Sequence, residues 1–184
     1  MSITVPEWLL KRFAAVYAKP PHYEASYYGP INMFLTVYFP AGYHYLVKPQ
    51  ARLRQPSSPG ERVSIDSNGQ EVGTRNDDGN PDFLVSIGSS ELSNDVPLLI
   101  YEVKREDSGD TEAAQQMDRY INWAMQYLSV LLPHASRKIW AVLVTGSKSD
   151  IYMMEQGSSI IKITYGLDTT GTQIRGILQH IRDE

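Results

Sequence analysis

The stretch Pro97-Leu98-Leu99-Ile100-Tyr101-Glu102-Val103-Lys104-Arg105 decides how this chain folds. Five apolar residues in a row, Pro97 to Tyr101, are too few for a membrane span and read as a strand buried on both faces. Alternate side chains of a strand share a face, so Leu98, Ile100, Glu102 and Lys104 point one way and Leu99, Tyr101 and Val103 the other. A carboxylate and an ammonium at the end of a buried strand are costly unless they are paired or bound to a metal. The plain alternative is a surface ion pair on an edge strand, which contributes little to stability. The apolar flanks favour the buried strand, and the C-terminal ends of strands are where α/β sheets commonly hold ligands.

Upstream, Asp82 to Ile87 is a second strand signal, separated from the first by the polar segment Gly88 to Asp95, and the two read as a hairpin. In a hairpin the start of the first strand lies opposite the end of the second, which sets Asp82 beside Glu102. Asn80-Pro81-Asp82 also has the composition of a simple turn. Two converging carboxylates make a hard, oxygen-rich site suited to Mg²⁺ or Mn²⁺. Lys104 would then orient or deprotonate an attacking water, or stabilise negative charge growing in the transition state.

Downstream, Thr111 to Leu132 is the strongest helix, with Met117, Tyr120, Ile121, Ala124, Leu128 and Leu131 along one face and Pro133 as its stop. Lys138 to Thr145 reads as a strand, Gly146 to Asp150 as a turn, and Ile151 to Glu155 and Ser159 to Tyr165 as strands, before a final helix over Thr172 to Arg182. The N-terminal part carries an amphipathic helix over Glu7 to Tyr17, ended by Pro20-Pro21. A second helix is expected over Tyr23 to Tyr38, with a kink or a new start at Gly29-Pro30. Tyr43 to Arg54 suggests a strand, edge or bulged because of Pro49. The segment 55–60 reads as a loop, Arg62 to Asp66 as a short strand, and Ser67 to Asn80 as a polar loop. This order predicts an α/β (α+β) fold with a central mixed β-sheet flanked by helices.

Pro81-Asp82 followed by Glu102-Val103-Lys104 resembles the PD-(D/E)XK nuclease superfamily. On the long helix, Gln116-Met117-Asp118-Arg119-Tyr120 is similar to the Q-x-x-x-Y motif of its RecB-like and lambda-exonuclease-like branches. The resemblance covers roughly residues 23–145 and implies a restriction-endonuclease-like core. It implies a metal-dependent nuclease acting on DNA, less readily RNA, with Mg²⁺ or Mn²⁺ held by Asp82, Glu102 and the main-chain carbonyl of Val103. Lys104 would be catalytic, Gln116 would position substrate or metal-bound water, and Tyr120 would contact the substrate strand or support the site. The family's leading helix carries an acidic residue, for which Glu24 is the candidate and Glu7 the weaker one. Gln116 and Tyr120 lie on adjacent turns of one helical face, although a tyrosine on such a stripe also reads as packing. A nuclease-fold module that binds nucleic acid or protein without cleaving is the competing reading, because a fold does not fix a function.

Bulk properties narrow the partners. The 184 residues, 42% of them hydrophobic, suit a single domain spanning 1–184, and the chain has no cysteine, which removes disulfides and thiolate chemistry. The N-terminus does not look like a signal peptide and no apolar run approaches a membrane span, so an intracellular location, cytoplasmic or nuclear, is expected without membrane association. A net charge of −4 argues against indiscriminate coating of nucleic acid. Local basic residues can override that sum, and Lys48, Arg52, Arg54, Arg105 and Arg119 are the candidate nucleic-acid contacts. His22, His44, His134 and His180 have no metal-ligand spacing and read as structural. The aromatic group Tyr17, Tyr23, Tyr27, Tyr28, Phe34, Tyr38 and Tyr43 is expected to pack helices on the sheet. Homo-oligomerisation stays open.

Overall fold

The computed structural model describes residues 3–20, 25–51, 53–54, 64–65, 71–72, 78–90, 95–105, 110–132 and 137–184. Helices α1 (Glu7–Ala18) and α2 (Ala25–Tyr38) come first, then a 3₁₀ turn (Ala41–Tyr43) and strand β1 (Tyr45–Pro49). Four two-residue strands follow: β2 (Leu53–Arg54), β3 (Ser64–Ile65), β4 (Glu71–Val72) and β5 (Asp78–Gly79). Then come β6 (Phe83–Ile87), β7 (Val96–Lys104), α3 (Asp110–Leu131), β8 (Lys138–Thr145), β9 (Lys148–Glu155), β10 (Ile161–Asp168) and α4 (Thr172–Asp183).

The described strands form a six-stranded sheet in the order β1-β6-β7-β8-β9-β10, with β2 pairing β5 and β3 pairing β4 in two small ribbons. Strands β7 and β8 run parallel and every other pair in the large sheet is antiparallel. A parallel neighbour requires a crossover, and α3 supplies it. The expected mixed sheet with flanking helices is therefore the architecture found, and β7 is an interior strand.

Each face of β7 meets a different layer. Leu99, Tyr101 and Val103 join Val85, Val142, Val144 and Ile151 in a core closed by α1, α2 and α4. On the opposite face Ile100, with Leu84, Ala141 and Leu143, packs against Met117, Ile121, Ala124 and Leu128 of α3. Glu102 and Lys104 share the parity of Ile100 and so lie on the α3 side. The last layer of the first core is α4, whose Ile174, Leu178 and Ile181 are all buried. Leu178→Ala is expected to cost about 3 kcal/mol, read as the change in free energy of urea unfolding.

Several boundaries differ from those expected. The strand anticipated from Tyr43 begins at Tyr45, because residues 41–43 form the 3₁₀ turn and His44 takes a left-handed φ of 65°. It stops at Pro49, where Gln50 turns the chain with φ 51°. Pro49 sits on an edge strand, as a residue without an N–H donor must. No new helix starts at Gly29-Pro30, since α2 runs through Pro30. The turn expected over 146–150 is only Gly146-Ser147, with Gly146 at φ 59°, and Lys148 already pairs with Thr145. A two-residue hairpin loop favours glycine at such a left-handed position.

Of the aromatic group, Tyr27, Phe34 and Tyr38 lie in the core between the helices and the sheet, with Tyr17 and Tyr28 packed against it. Ring contacts link α1 to α2 through Tyr17–Tyr27 and, with Phe13, through Phe13–Phe34, while Phe34–Tyr38 lies within α2. Tyr43 is 68% exposed and takes no part in that core, because it lies on the turn before β1. Tyr23 lies outside the described residues. Of the histidines, His44 is exposed on its turn and His180 stacks edge-on against Trp140, while His22 and His134 lie outside the described residues.

Candidate active site

The hairpin of β6 and β7 pairs Phe83 with Tyr101, and continuing that antiparallel register by one residue sets Asp82 opposite Glu102. Both side chains are buried, at 5% and 2% exposure. Each accepts from the opposite strand's backbone: the Asp82 N–H donates to Glu102 Oε2 at 3.0 Å, and the Val103 N–H donates to Asp82 Oδ2 at 2.7 Å. Lys104, two residues along the same face, places Nζ 2.8 Å from Glu102 Oε1. The expected neighbours Asp82, Glu102 and Lys104 thus meet at one end of the hairpin.

Two residues not anticipated at this place complete the surroundings of Asp82. The Tyr28 hydroxyl, from α2, donates to Asp82 Oδ1. The Gln50 amide donates to the same oxygen at 3.1 Å and lies 3.2 Å from the Tyr28 hydroxyl, while the Gln50 backbone N–H donates to the Asp82 carbonyl at 2.9 Å. Nothing in the sequence marked Gln50, whose place beside Asp82 follows from the pairing of Pro49 with Phe83. Tyr28 stood in the sequence only as one of the aromatic residues expected to pack helices on the sheet.

The electrostatics follow from burial. Desolvation, and next the nearby negative charge of Asp82, push the Glu102 carboxyl up from 4.5 to about 7, against the opposing pull of Lys104. Tyr120 of α3 is buried, and its phenol is raised first by desolvation and then by the charge of Glu102. Gln116 donates to the Tyr120 hydroxyl at 2.6 Å, so the two helix residues form one unit on the α3 side of the site.

Gly79 of β5 explains how Tyr120 is held. A Cβ there would stand 2.4 Å from both Tyr120 Cε1 and Trp123 Cζ3, so only glycine lets this backbone lie against the two rings. Gly79→Ala is expected to displace them at a cost of about 2 kcal/mol. A lowered melting temperature with an altered near-ultraviolet circular dichroism signal would register it; an unchanged near-ultraviolet signal would count against the contact.

The remaining candidates are scattered. Glu7 is an exposed partner of Lys11 at 2.7 Å on α1, away from this cluster of contacts, and Glu24 lies outside the described residues. Lys48 on β1 pairs with Asp95 at 2.5 Å, and Asp95 also accepts the Ser89 N–H at 2.9 Å. Arg105 is half-buried just beyond β7 and Arg119 is exposed on α3. Arg52 and the side chain of Arg54 lie outside the described residues. Among the described residues no group of three histidine, cysteine, aspartate or glutamate side chains is arranged to hold a metal, which leaves Asp82 and Glu102 as the paired oxygen donors. No described helix is long and apolar enough to cross a membrane.

Fold and site together define an α+β domain with a buried carboxylate pair and a lysine at the end of a central hairpin. The same fold occurs in a chain of a solved cryo-electron-microscopy structure titled a DrdV–DNA complex, with a TM-score of 0.55 and 13% identity. The match covers 100% of the present chain and 14% of that much longer one. No family model matches the sequence, and no curated protein does.

Proposed function

We propose that this domain is a metal-dependent nuclease that hydrolyses phosphodiester bonds, of DNA before RNA, and belongs with the PD-(D/E)XK nucleases. The observation that carries the reading is the meeting of Asp82, Glu102 and Lys104 at the end of the β6–β7 hairpin. Two buried carboxylates whose mutual repulsion helps to lift Glu102 to about 7 form a site that a divalent cation would relieve. The donor set fits Mg²⁺ or Mn²⁺, with Asp82, Glu102 and the Val103 carbonyl as protein ligands and with water and phosphate oxygens for the rest. When bound, such an ion activates water and neutralises charge on the leaving oxygen.

The chain's own residues supply the remainder. Lys104, held by Glu102, presents an ammonium where charge would develop on a phosphoryl group. Tyr120, fixed by Gln116, lines the α3 side and would contact the substrate strand. Arg105, following Lys104, and Arg119, preceding Tyr120, are the basic residues adjacent in sequence to that site and would bind phosphates. That the structural neighbour is a DNA complex supports DNA as the substrate class.

A second reading, a nuclease-fold module without catalysis, is favoured by one feature. The carboxylate oxygens of Asp82 and Glu102 are already engaged by protein donors, and no third acid joins them among the described residues. Incubation of single- and double-stranded DNA and RNA with Mg²⁺ or Mn²⁺ separates the two. Cleavage that chelator abolishes supports the nuclease; binding with no cleavage under any of these conditions supports the module.

A further inference from the structure

Asp82 is reached from three separate elements. The Tyr28 hydroxyl on α2 and the Gln50 amide just past β1 both donate to Oδ1, and the Val103 N–H on β7 donates to Oδ2. Tyr28 is anchored for this by an edge-on contact with Phe83 at 5.5 Å between ring centres. Gln50 is held in the left-handed region at φ 51°, a conformation that a non-glycine residue keeps only where its surroundings over-determine it. Here they do: its backbone N–H is tied to the Asp82 carbonyl at 2.9 Å and its side chain to the Asp82 carboxylate.

We infer that Tyr28 and Gln50 are positioning residues that fix the orientation of the Asp82 carboxylate for cation binding. This deepens the metal-dependent reading above and rests on it. Neither residue needs to touch the ion. Donors behind a ligating carboxylate set its direction and limit its rotation, and their removal typically weakens metal binding by about 10–100-fold. Position 50 also sets the charge of the site. Its amide nitrogen is 3.1 Å from Asp82 Oδ1, a separation usual for two oxygens sharing one cation, so a glutamate there would add a third carboxylate.

Calorimetric titration of the full chain with Mn²⁺, beside metal-free thermal melts, tests the inference in Tyr28→Phe, Gln50→Ala and Gln50→Glu. Tyr28→Phe keeps the ring against Phe83 and removes only the hydroxyl. Weakening of Mn²⁺ binding by about tenfold in Tyr28→Phe and Gln50→Ala is expected, with their metal-free melting temperatures close to wild type. Gln50→Glu is expected to move the two readouts in opposite directions, melting lower without metal and binding Mn²⁺ more tightly, which a merely structural role would not produce. Wild-type affinity in both Tyr28→Phe and Gln50→Ala, or weaker binding in Gln50→Glu than in Gln50→Ala, overturns the inference and leaves the nuclease reading standing. Absence of Mn²⁺ binding by the wild type removes the metal-dependent reading and the inference with it.

Discussion

Lys104→Ala and Asp82→Ala are each expected to lower Mg²⁺- or Mn²⁺-dependent cleavage of DNA by roughly 10³-fold or more. The two act on different parts of the chemistry. Asp82→Ala removes one of the paired oxygen donors and leaves the Val103 N–H without its acceptor, so both Mn²⁺ affinity and turnover should fall. Lys104→Ala takes away the cation held 2.8 Å from Glu102 but leaves both carboxylates in place. Its Mn²⁺ binding should survive while kcat collapses, because an interaction made chiefly in the transition state has been lost. Single-turnover cleavage at saturating Mn²⁺, with circular dichroism to verify folding, makes the measurement. Undiminished cleavage in both variants would exclude this cluster as the active site.

The second large effect is on stability as a function of pH. In the metal-free fold Glu102 titrates at about 7 against 4.5 for the unconstrained carboxyl, so the folded state binds the proton more tightly than the unfolded one. Stability must therefore decline as pH rises from about 4.5 through 7, by about 3 kcal/mol in all, and the full penalty is present above pH 7. This is the reverse of a salt-bridged carboxylate whose value is depressed. Glu102→Gln, neutral at every pH, should flatten that part of the profile and gain relative to wild type as pH rises to 8. Divalent cation should raise the wild-type melting temperature most at pH 8, where Glu102 is ionised in both states, and should not do so in Glu102→Gln. Urea unfolding at pH 5, 6, 7 and 8, with and without Mn²⁺, resolves these terms. A wild-type profile parallel to that of Glu102→Gln across this range would contradict the protonation assigned to Glu102.

Much of the site was legible from periodicity alone. The apolar run 97–101 gave an interior strand because only a strand covered on both faces tolerates it, and the two-residue repeat then assigned Glu102 and Lys104 to one face. Hairpin geometry placed Asp82 opposite Glu102, since in an antiparallel pair the start of the first strand faces the end of the second; the register shift between Val85 and Ser86 left no trace in the sequence. The apolar stripe of α3 likewise fixed which side packs, and Gln116 and Tyr120 came with it, joined by an i,i+4 hydrogen bond. Boundaries at Tyr45, Pro49 and Lys148 were blurred because single left-handed residues, His44 and Gln50 among them, leave no periodic trace.

The sequence by itself thus determined the strand, the helix, the hairpin of β6 and β7, and the three residues that meet at its end. The tertiary structure alone decided what surrounds them. Tyr28 reaches Asp82 across 54 residues and Gln50 across 32, contacts that exist because α2 docks on one face of the sheet and β1 pairs along its edge. Gly79 against Tyr120 and Trp123 is likewise a contact between a two-residue strand and a distant helix. Even the proton on Glu102 belongs to this level: an isolated glutamate titrates near its ordinary value, and only burial between the layers, with Asp82 alongside, carries it to about 7. Side-chain alternation records which face a residue takes; how far water is excluded from that face depends on every element packed over it.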